Sequence, residues 1–398
     1  MVLQTTLNNF RWSMEYVVVI VVIIIVVANC ERNSHREKLG LPRQKLSYIP
    51  LKTHMVSISG HSSGATAATH FYLANSKHVD GVALFSSIHY QCGSGGLYTL
   101  MPCLLGRGNT SDSVRSAEKY ATAGLIDSLD NLREKRHYIY HGTQDAFIHF
   151  DNGLRVYQFY KAFSNHVKFE QFETLHAIPS KTCGIQCTGI PSTPGNGCSK
   201  CSFSVVYDGL NFIYNGELVE STATTCRAKY NHDGLTLVDQ EEFISPLDST
   251  VSMLSDAVLY TPPQCRVNSS LCSLHIAFHG CRHSIQNDGL DYIKCSGYLE
   301  TADANNFIVL FPQVKQSAIN AITLFHCWDL YGYTGPLYGT KLGSQNQVVF
   351  RMVSRIMYKE DDEKDVPSAT NLSTWNNEDY YYDLDPEIVS KSRFKSRN

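Results

Sequence analysis

The stretch that most limits what this chain can fold into is Val56-Ser57-Ile58-Ser59-Gly60-His61-Ser62-Ser63-Gly64-Ala65. Val56 and Ile58 alternate with Ser57 and Ser59, the period of a short strand. Gly60-His61-Ser62-Ser63-Gly64 then fits G-x-S-x-G, and Ala65, Ala67, Ala68, Phe71, Tyr72 and Leu73 continue as a helix. A serine on a sharp strand-to-helix turn is a nucleophile elbow, with glycines on either side because a Cβ there would strike the strand or the helix. Without those flanking elements the same five residues would read as a Gly/Ser-rich loop.

A serine hydroxyl needs a base to take its proton and a third group to orient that base. Asp145 follows the strand pattern His137-Tyr138-Ile139-Tyr140, and His176 follows Val167 to Phe172. Serine, acid, histidine is the order of an α/β-hydrolase, each at the end of a strand. Alone, Asp145 also reads as a turn aspartate and His176 as a surface or packed histidine. Strands alternate with helices through this region, with helical spacing over Ser111 to Asp130, capped by Ser111 or Asp112, and over Asn152 to Asn165. That alternation predicts a largely parallel sheet covered on both faces.

An oxyanion hole needs two backbone N–H groups. Ser63 N–H supplies one. Nothing before Ser62 suits the second, and the best candidate is Phe278-His279-Gly280-Cys281, over two hundred residues later. If Cys281 N–H serves, the sheet is circularly permuted; otherwise the stretch is a strand-end turn held by a disulfide. Further along, Leu274 to Phe278 and Phe307 to Phe311 read as strands and Leu290 to Ala304 as one helix. Leu235 to Leu259 has no clear register.

The chain has 398 residues, 43% of them hydrophobic and 18% charged, with a net charge of −3, which gives no reason to expect nucleic acid as a partner. Tyr16 to Ala28 is an apolar run preceded by Arg11, short for a membrane span and suited to a signal peptide. An uncleaved anchor is the alternative, and only then would a membrane be a partner. Residues 1–28 are therefore read as signal or anchor, 29–53 as a linker, 54–358 as the catalytic domain and 359–398 as an acidic, disordered tail.

Thirteen cysteines agree with export to an oxidising space; with Cys30 at the processing point, twelve remain. Cys92 and Cys103 bracket a Gly-rich loop and are expected to pair. Cys183 to Cys201 reads as a stapled loop whose pairing stays open. Asn109, Asn268 and Asn371 each begin an Asn-x-Ser/Thr glycosylation pattern.

Several stretches together resemble the extracellular poly(3-hydroxybutyrate) depolymerases, particularly the circularly permuted single-domain kind. These are Ser57 to Gly64, His141-Gly142-Thr143-Gln144-Asp145, His176-Ala177-Ile178-Pro179, Cys272 to Cys281, Gly297 to Asn306 with Val309 to Gln313, and Cys327 to Tyr333. The resemblance implies a permuted α/β-hydrolase fold with Ser62 as nucleophile, Asp145 as acid, His176 as base, and Ser63 and Cys281 as oxyanion donors. It also implies disulfides Cys281–Cys327 and Cys265–Cys272, and a substrate-binding role for Trp328, which alone would read as a core aromatic. His61, Ala65 and Leu330-Tyr331 depart from the usual residues near the crevice, and Cys183, Cys187, Cys226 and Cys295 look extra.

The expected function is that of a secreted serine esterase acting on a polyester or oligoester of 3-hydroxyalkanoates, a monomer needing no metal or cofactor. Two other readings remain at this stage: a feruloyl or acetylxylan-type carbohydrate esterase, and a binding protein with a silent hydrolase fold.

Overall fold

The computed structural model describes residues 39–188, 197–226, 233–246, 248, 250–316 and 326–359. The apolar run at Tyr16 to Ala28, Cys30, Asn371 and nearly all of the acidic tail lie outside them. In chain order the strands are β1 (Arg43–Gln44), β2 (Val56–His61), β3 (Val79–Phe85), β4 (Arg136–Gly142), β5 (Val167–Phe172), β6 (Ile178–Ser180), β7 (Ile185–Gln186), β8 (Cys198–Lys200), β9 (Leu235–Asp239), β10 (Asp256–Tyr260), β11 (Ser273–Phe278) and β12 (Phe307–Phe311). Helices of eight or more residues are α1 (Ser63–Ala74), α2 (Leu97–Leu104), α3 (Thr110–Thr122), α4 (Asp151–Lys161), α5 (Val205–Ile213), α6 (Tyr298–Asn305) and α7 (Ser344–Met357).

Nine strands form one sheet in the order β1-β9-β10-β12-β11-β2-β3-β4-β5. From β12 to β5 all neighbours are parallel, and β10 alone runs against both of its neighbours. On one side of β2 the strands β11, β12, β10 and β9 are thus encoded after β3, β4 and β5 of the other side, the order a permuted α/β-hydrolase sheet requires. Because β11 and β2 are parallel and in register from Leu274↔Val56 to Phe278↔Gly60, the segment after β11 reaches the same rim as the serine.

Val56 and Ile58 point into the main core with Ala65, Ala68, Phe71 and Tyr72 of α1 and Val349, Met352 and Val353 of α7. Ser57 and Ser59 on the other face are buried as well. His275 of β11 bridges them, with Nδ1 2.8 Å from Ser57 Oγ and Nε2 2.8 Å from Ser59 Oγ. The Tyr298 and Tyr214 hydroxyls complete that network. Buried polar groups are tolerable only when partnered in this way.

Several elements differ from the sequence reading. Residues 43–53 are no free linker: β1 pairs with β9, Leu46 joins the core, and Ile49 N–H donates to Ile356 O. The helix expected from Leu290 to Ala304 is two, Asp291–Cys295 and α6, separated at Gly297, whose φ of 88° no helix accommodates. α3 ends at Thr122, and its cap is Asn109, whose side chain accepts from Ser111 N–H, rather than Ser111 or Asp112. The Cys183–Cys201 stretch carries β7 and β8, which with β6 just before it form a short sheet in the order β6-β8-β7.

Candidate active site

β2 delivers Ser62 onto the rim with φ of 56°, a left-handed conformation that non-glycine residues rarely adopt. Crowding explains the flanking glycines. A Cβ on Gly60 would lie 2.2 Å from Gly64 O, and one on Gly64 would lie 2.3 Å from His279 O. The first closeness lets strand turn into helix; the second brings the 279–281 loop against the elbow. Ser62 N–H is tied to Phe85 O on β3 at 2.9 Å, which holds the strained residue in place.

Ser62 Oγ donates to His176 Nε2 at 2.9 Å, and His176 Nδ1–H donates to Asp145 Oδ2 at 2.6 Å. The second Asp145 oxygen accepts the N–H groups of Phe147 and Ile148 at 2.9 and 2.8 Å. Burial alone would push that carboxyl up, but His176 and His141 outweigh it and hold it well below the usual carboxylate range. His141 was part of the recognised stretch without a role; its Nε2 lies 3.3 Å from Asp145 Oδ2 and 2.9 Å from Ile148 O. Three side chains from three strand ends therefore meet at one rim.

The 279–281 loop flanks the serine from the other side. Ser63, first residue of α1, has an N–H with no acceptor inside its helix. A Cβ on Gly280 would come within 3.3 Å of Ser62 Cβ, which places Cys281 immediately beyond the serine. His279 shapes this loop: its Nδ1–H donates to Gly280 O at 2.7 Å and its Nε2 accepts from Val314 N–H at 3.3 Å. The disulfide Cys281–Cys327 anchors it.

No family model matches this sequence. It is 27% identical over 342 residues to a poly(3-hydroxybutyrate) depolymerase of Delftia acidovorans, covering 83% of this chain and 64% of that protein. The chain thus spans under two thirds of that relative's length. It is 28% identical over 298 residues to a polyhydroxybutyrate depolymerase of Talaromyces funiculosus, covering 70% of this chain and 83% of that protein. Two solved PHB depolymerase structures share the fold at a TM-score of 0.69, each covering 79% of this chain and 99% of its own. One, a serine-to-alanine variant complexed with an R3HB trimer, is 24% identical; the other, from Penicillium funiculosum, is 23% identical. The chain is thus similar in sequence to poly(3-hydroxybutyrate) depolymerases and shares the fold of those two structures.

Further side chains crowd around Ser62, His176 and Asp145. His61 is fully buried, its ring centroid 4.9 Å from that of His176 and 6.4 Å from that of His283. Burial, and then the neighbouring His176 and His283, push His61 well below the ordinary histidine range. His283 is oriented by Asp288, to which its Nδ1 donates at 2.8 Å, and it stacks on Tyr292. Phe147 projects into solvent at 74% exposure with its ring 5.3 Å from His176. Trp328 lies behind the 279–281 loop, buried, its ring 5.0 Å from Phe278 and 5.7 Å from His279. Its neighbour Asp329 accepts from the N–H groups of Tyr331, Gly332, Tyr333 and Thr334, which fixes the course of that loop.

The structure forms Cys92–Cys103, Cys265–Cys272 and Cys281–Cys327, and joins the extra cysteines as Cys183–Cys226, Cys187–Cys201 and Cys198–Cys295. Cys295 could not be drawn into that set by proximity in sequence, since it lies 97 residues from its partner. Asn109 and Asn268 are exposed, and Asn268 Oδ1 accepts from both the N–H and the hydroxyl of Ser270. Among the described residues, His89, Cys92 and Cys103 are close enough to suggest a metal site, but both sulfurs are spent in their disulfide.

Proposed function

We propose that this chain is a secreted serine esterase that cleaves poly- or oligo-(3-hydroxyalkanoate) esters, with Ser62, His176 and Asp145 as its triad. The hydrogen-bonded line Ser62–His176–Asp145 carries this reading. As Ser62 Oγ bonds to the ester carbonyl carbon, its proton passes to His176 Nε2, and the ionised Asp145 stabilises the imidazolium. Charge gathering on the carbonyl oxygen falls to the N–H groups of Ser63 and Cys281. Collapse expels the alcohol end of the ester, which takes the proton from His176, and water then hydrolyses the acyl-enzyme.

The polyester assignment draws on the two relatives and on the rim. Besides Phe147, the apolar residues Tyr98 (91%), Met101 (52%) and Leu105 of the α2 segment are exposed. That segment is tied to the Phe147 loop by His149 N–H donating to Leu104 O. Exposed apolar side chains on segments tied together in this way suit a water-insoluble ester better than a hydrated polysaccharide. Trp328, whose indole N–H has no partner among the described residues, stands behind the 279–281 loop and is assigned to shaping the acyl pocket. Six disulfides support an oxidising, extracellular location. No described helix is long and apolar enough to cross a membrane. The catalytic unit is proposed to begin at Arg43, where one compact unit starts, rather than at residue 54.

The test is hydrolysis of short 3-hydroxybutyrate oligomers by wild type and Ser62→Ala. Wild type should release monomer, and the variant should retain no more than about one part in 10⁴ of that rate. Release of ferulate or acetate from polysaccharide without cleavage of the oligomers would favour a carbohydrate esterase. Failure of a fluorophosphonate to label Ser62 would favour a binding protein.

A further inference from the structure

Among the described residues, His176 has two ring neighbours, and they differ sharply in exposure. His61, at 4.9 Å between centroids, is 1% exposed. Phe147, at 5.3 Å, is 74% exposed. A lone apolar side chain in solvent is ordinary and means nothing by itself. Phe147 differs because the triad sets its place. Its own N–H donates to Asp145 Oδ1 at 2.9 Å, beside that of Ile148 at 2.8 Å. Ile148 is buried in a small core with Leu100 and Cys103, and His149 N–H donates to Leu104 O at 2.8 Å. The backbone on both sides of the phenyl ring is thus fixed by the acid and by that core, and the ring stands against the base.

The chemistry dictates what passes beside that base. When the tetrahedral adduct on Ser62 collapses, the bond from the carbonyl carbon to the alcohol oxygen breaks. Its electron pair stays on that oxygen, which takes the proton from His176 Nε2. The alcohol oxygen must therefore come within about 3 Å of Nε2, which puts its first carbons beside the imidazole. One side of the serine is closed. A Cβ on Gly280 would lie 3.0 Å from His61 Nδ1 and 3.3 Å from Ser62 Cβ, so the 279–281 loop crowds both residues. On the solvent side of the imidazole stands the Phe147 ring.

We propose that Phe147 is the specificity residue for the alcohol half of the ester, its exposed ring packing on apolar carbons of the leaving unit. This rests on the serine-esterase reading above and adds which half of the substrate this side chain reads. In a 3-hydroxyalkanoate ester the carbon bonded to the leaving oxygen carries an alkyl branch, and that branch is the group the ring contacts.

The experiment varies the two halves of the ester separately on wild type, Phe147→Leu and Phe147→Ala. Ethyl, butyl and hexyl butyrate change the alcohol; p-nitrophenyl acetate, butyrate and hexanoate change the acyl group. In wild type kcat/KM should rise from ethyl to hexyl butyrate. In Phe147→Ala the hexyl-to-ethyl ratio should fall about five- to tenfold, and Phe147→Leu should keep part of it. The acyl series should keep the wild-type ratios between its members in both variants. Ratios within a series are a property of each active molecule, so partial misfolding of a variant leaves them readable. A hexyl-to-ethyl ratio in Phe147→Ala equal to that of wild type overturns the assignment, as does a change of the same size in the acyl series. If wild type cleaves neither series and a fluorophosphonate fails to label Ser62, the esterase reading fails first and this assignment with it.

Discussion

At the scale of single residues, the most sensitive position is Asp145, because it fixes which nitrogen of His176 faces the serine. One of its oxygens is committed to the Phe147 and Ile148 N–H groups, so the other must accept from His176 Nδ1. In Asp145→Asn the same two N–H groups would hold the amide oxygen, and the amide NH₂ would face Nδ1. The imidazole would then carry its proton on Nε2, towards Ser62, where it cannot act as a base. The expected outcome is a fall in kcat of about 10⁴-fold with an unchanged fold, checked by oligomer hydrolysis and circular dichroism. Because Asp145 in the folded chain stays ionised to below the usual carboxylate range, it should contribute no limb to the pH–rate profile above pH 4. A break assignable to it in that window, by its disappearance in Asp145→Asn, would contradict the arrangement.

At the scale of elements, α2 separates two kinds of substrate. Its Tyr98 and Met101 project into solvent, which suits adsorption to an insoluble surface rather than bond cleavage. Tyr98→Ser with Met101→Ser should lower the rate on polymer films by about tenfold or more, as lost apolar contact predicts, and leave soluble oligomer hydrolysis nearly unchanged. Equal loss on both substrates would assign α2 to the crevice itself. The sequence exposed the elbow and the strand ends of Asp145 and His176 because each is a local pattern: alternation, then a turn, then a functional residue. It also pointed to Cys281, by the lack of any earlier His-Gly turn. What stayed hidden depended on contacts between distant segments. The alternation in Val56 to Ser59 suggests one wet face, but His275, Tyr298 and Tyr214 cover Ser57 and Ser59 from elsewhere in the chain. The break at Gly297 was masked by apolar spacing that continues across it. His61 gave no signal beyond its unusual place, since only the fold reveals a ring with nothing to bond to.

At the scale of the whole molecule, the sheet and the elements packed on it bury several histidines in the neutral form. Burial pushes His70, His137, His275 and His279 down to about 3, from an ordinary value of 6.5. Unfolding returns each to water, where it binds a proton below about pH 6.5. Their depressed folded values mean that stability is intact above pH 6.5 and is lost as pH falls from there towards 3. Each contributes about 1.4 kcal/mol per pH unit once well inside that window. Four such groups match a typical domain's whole stability of about 5–15 kcal/mol within roughly two pH units. The protein is therefore expected to unfold in mild acid, with a melting temperature that falls steeply below pH 6 and levels off above pH 7. His70 offers the cleanest check. Its Nε2 is already without a partner and its ring sits edge-on to Tyr90 and Tyr338, so His70→Phe removes a titrating group while keeping the packing. That variant should take up about one proton fewer on unfolding at pH 5, measured from the slope of stability against pH. At pH 8 it should be as stable as wild type. An unchanged slope would mean that the buried histidines do not set the acid limit and that the carboxylates do.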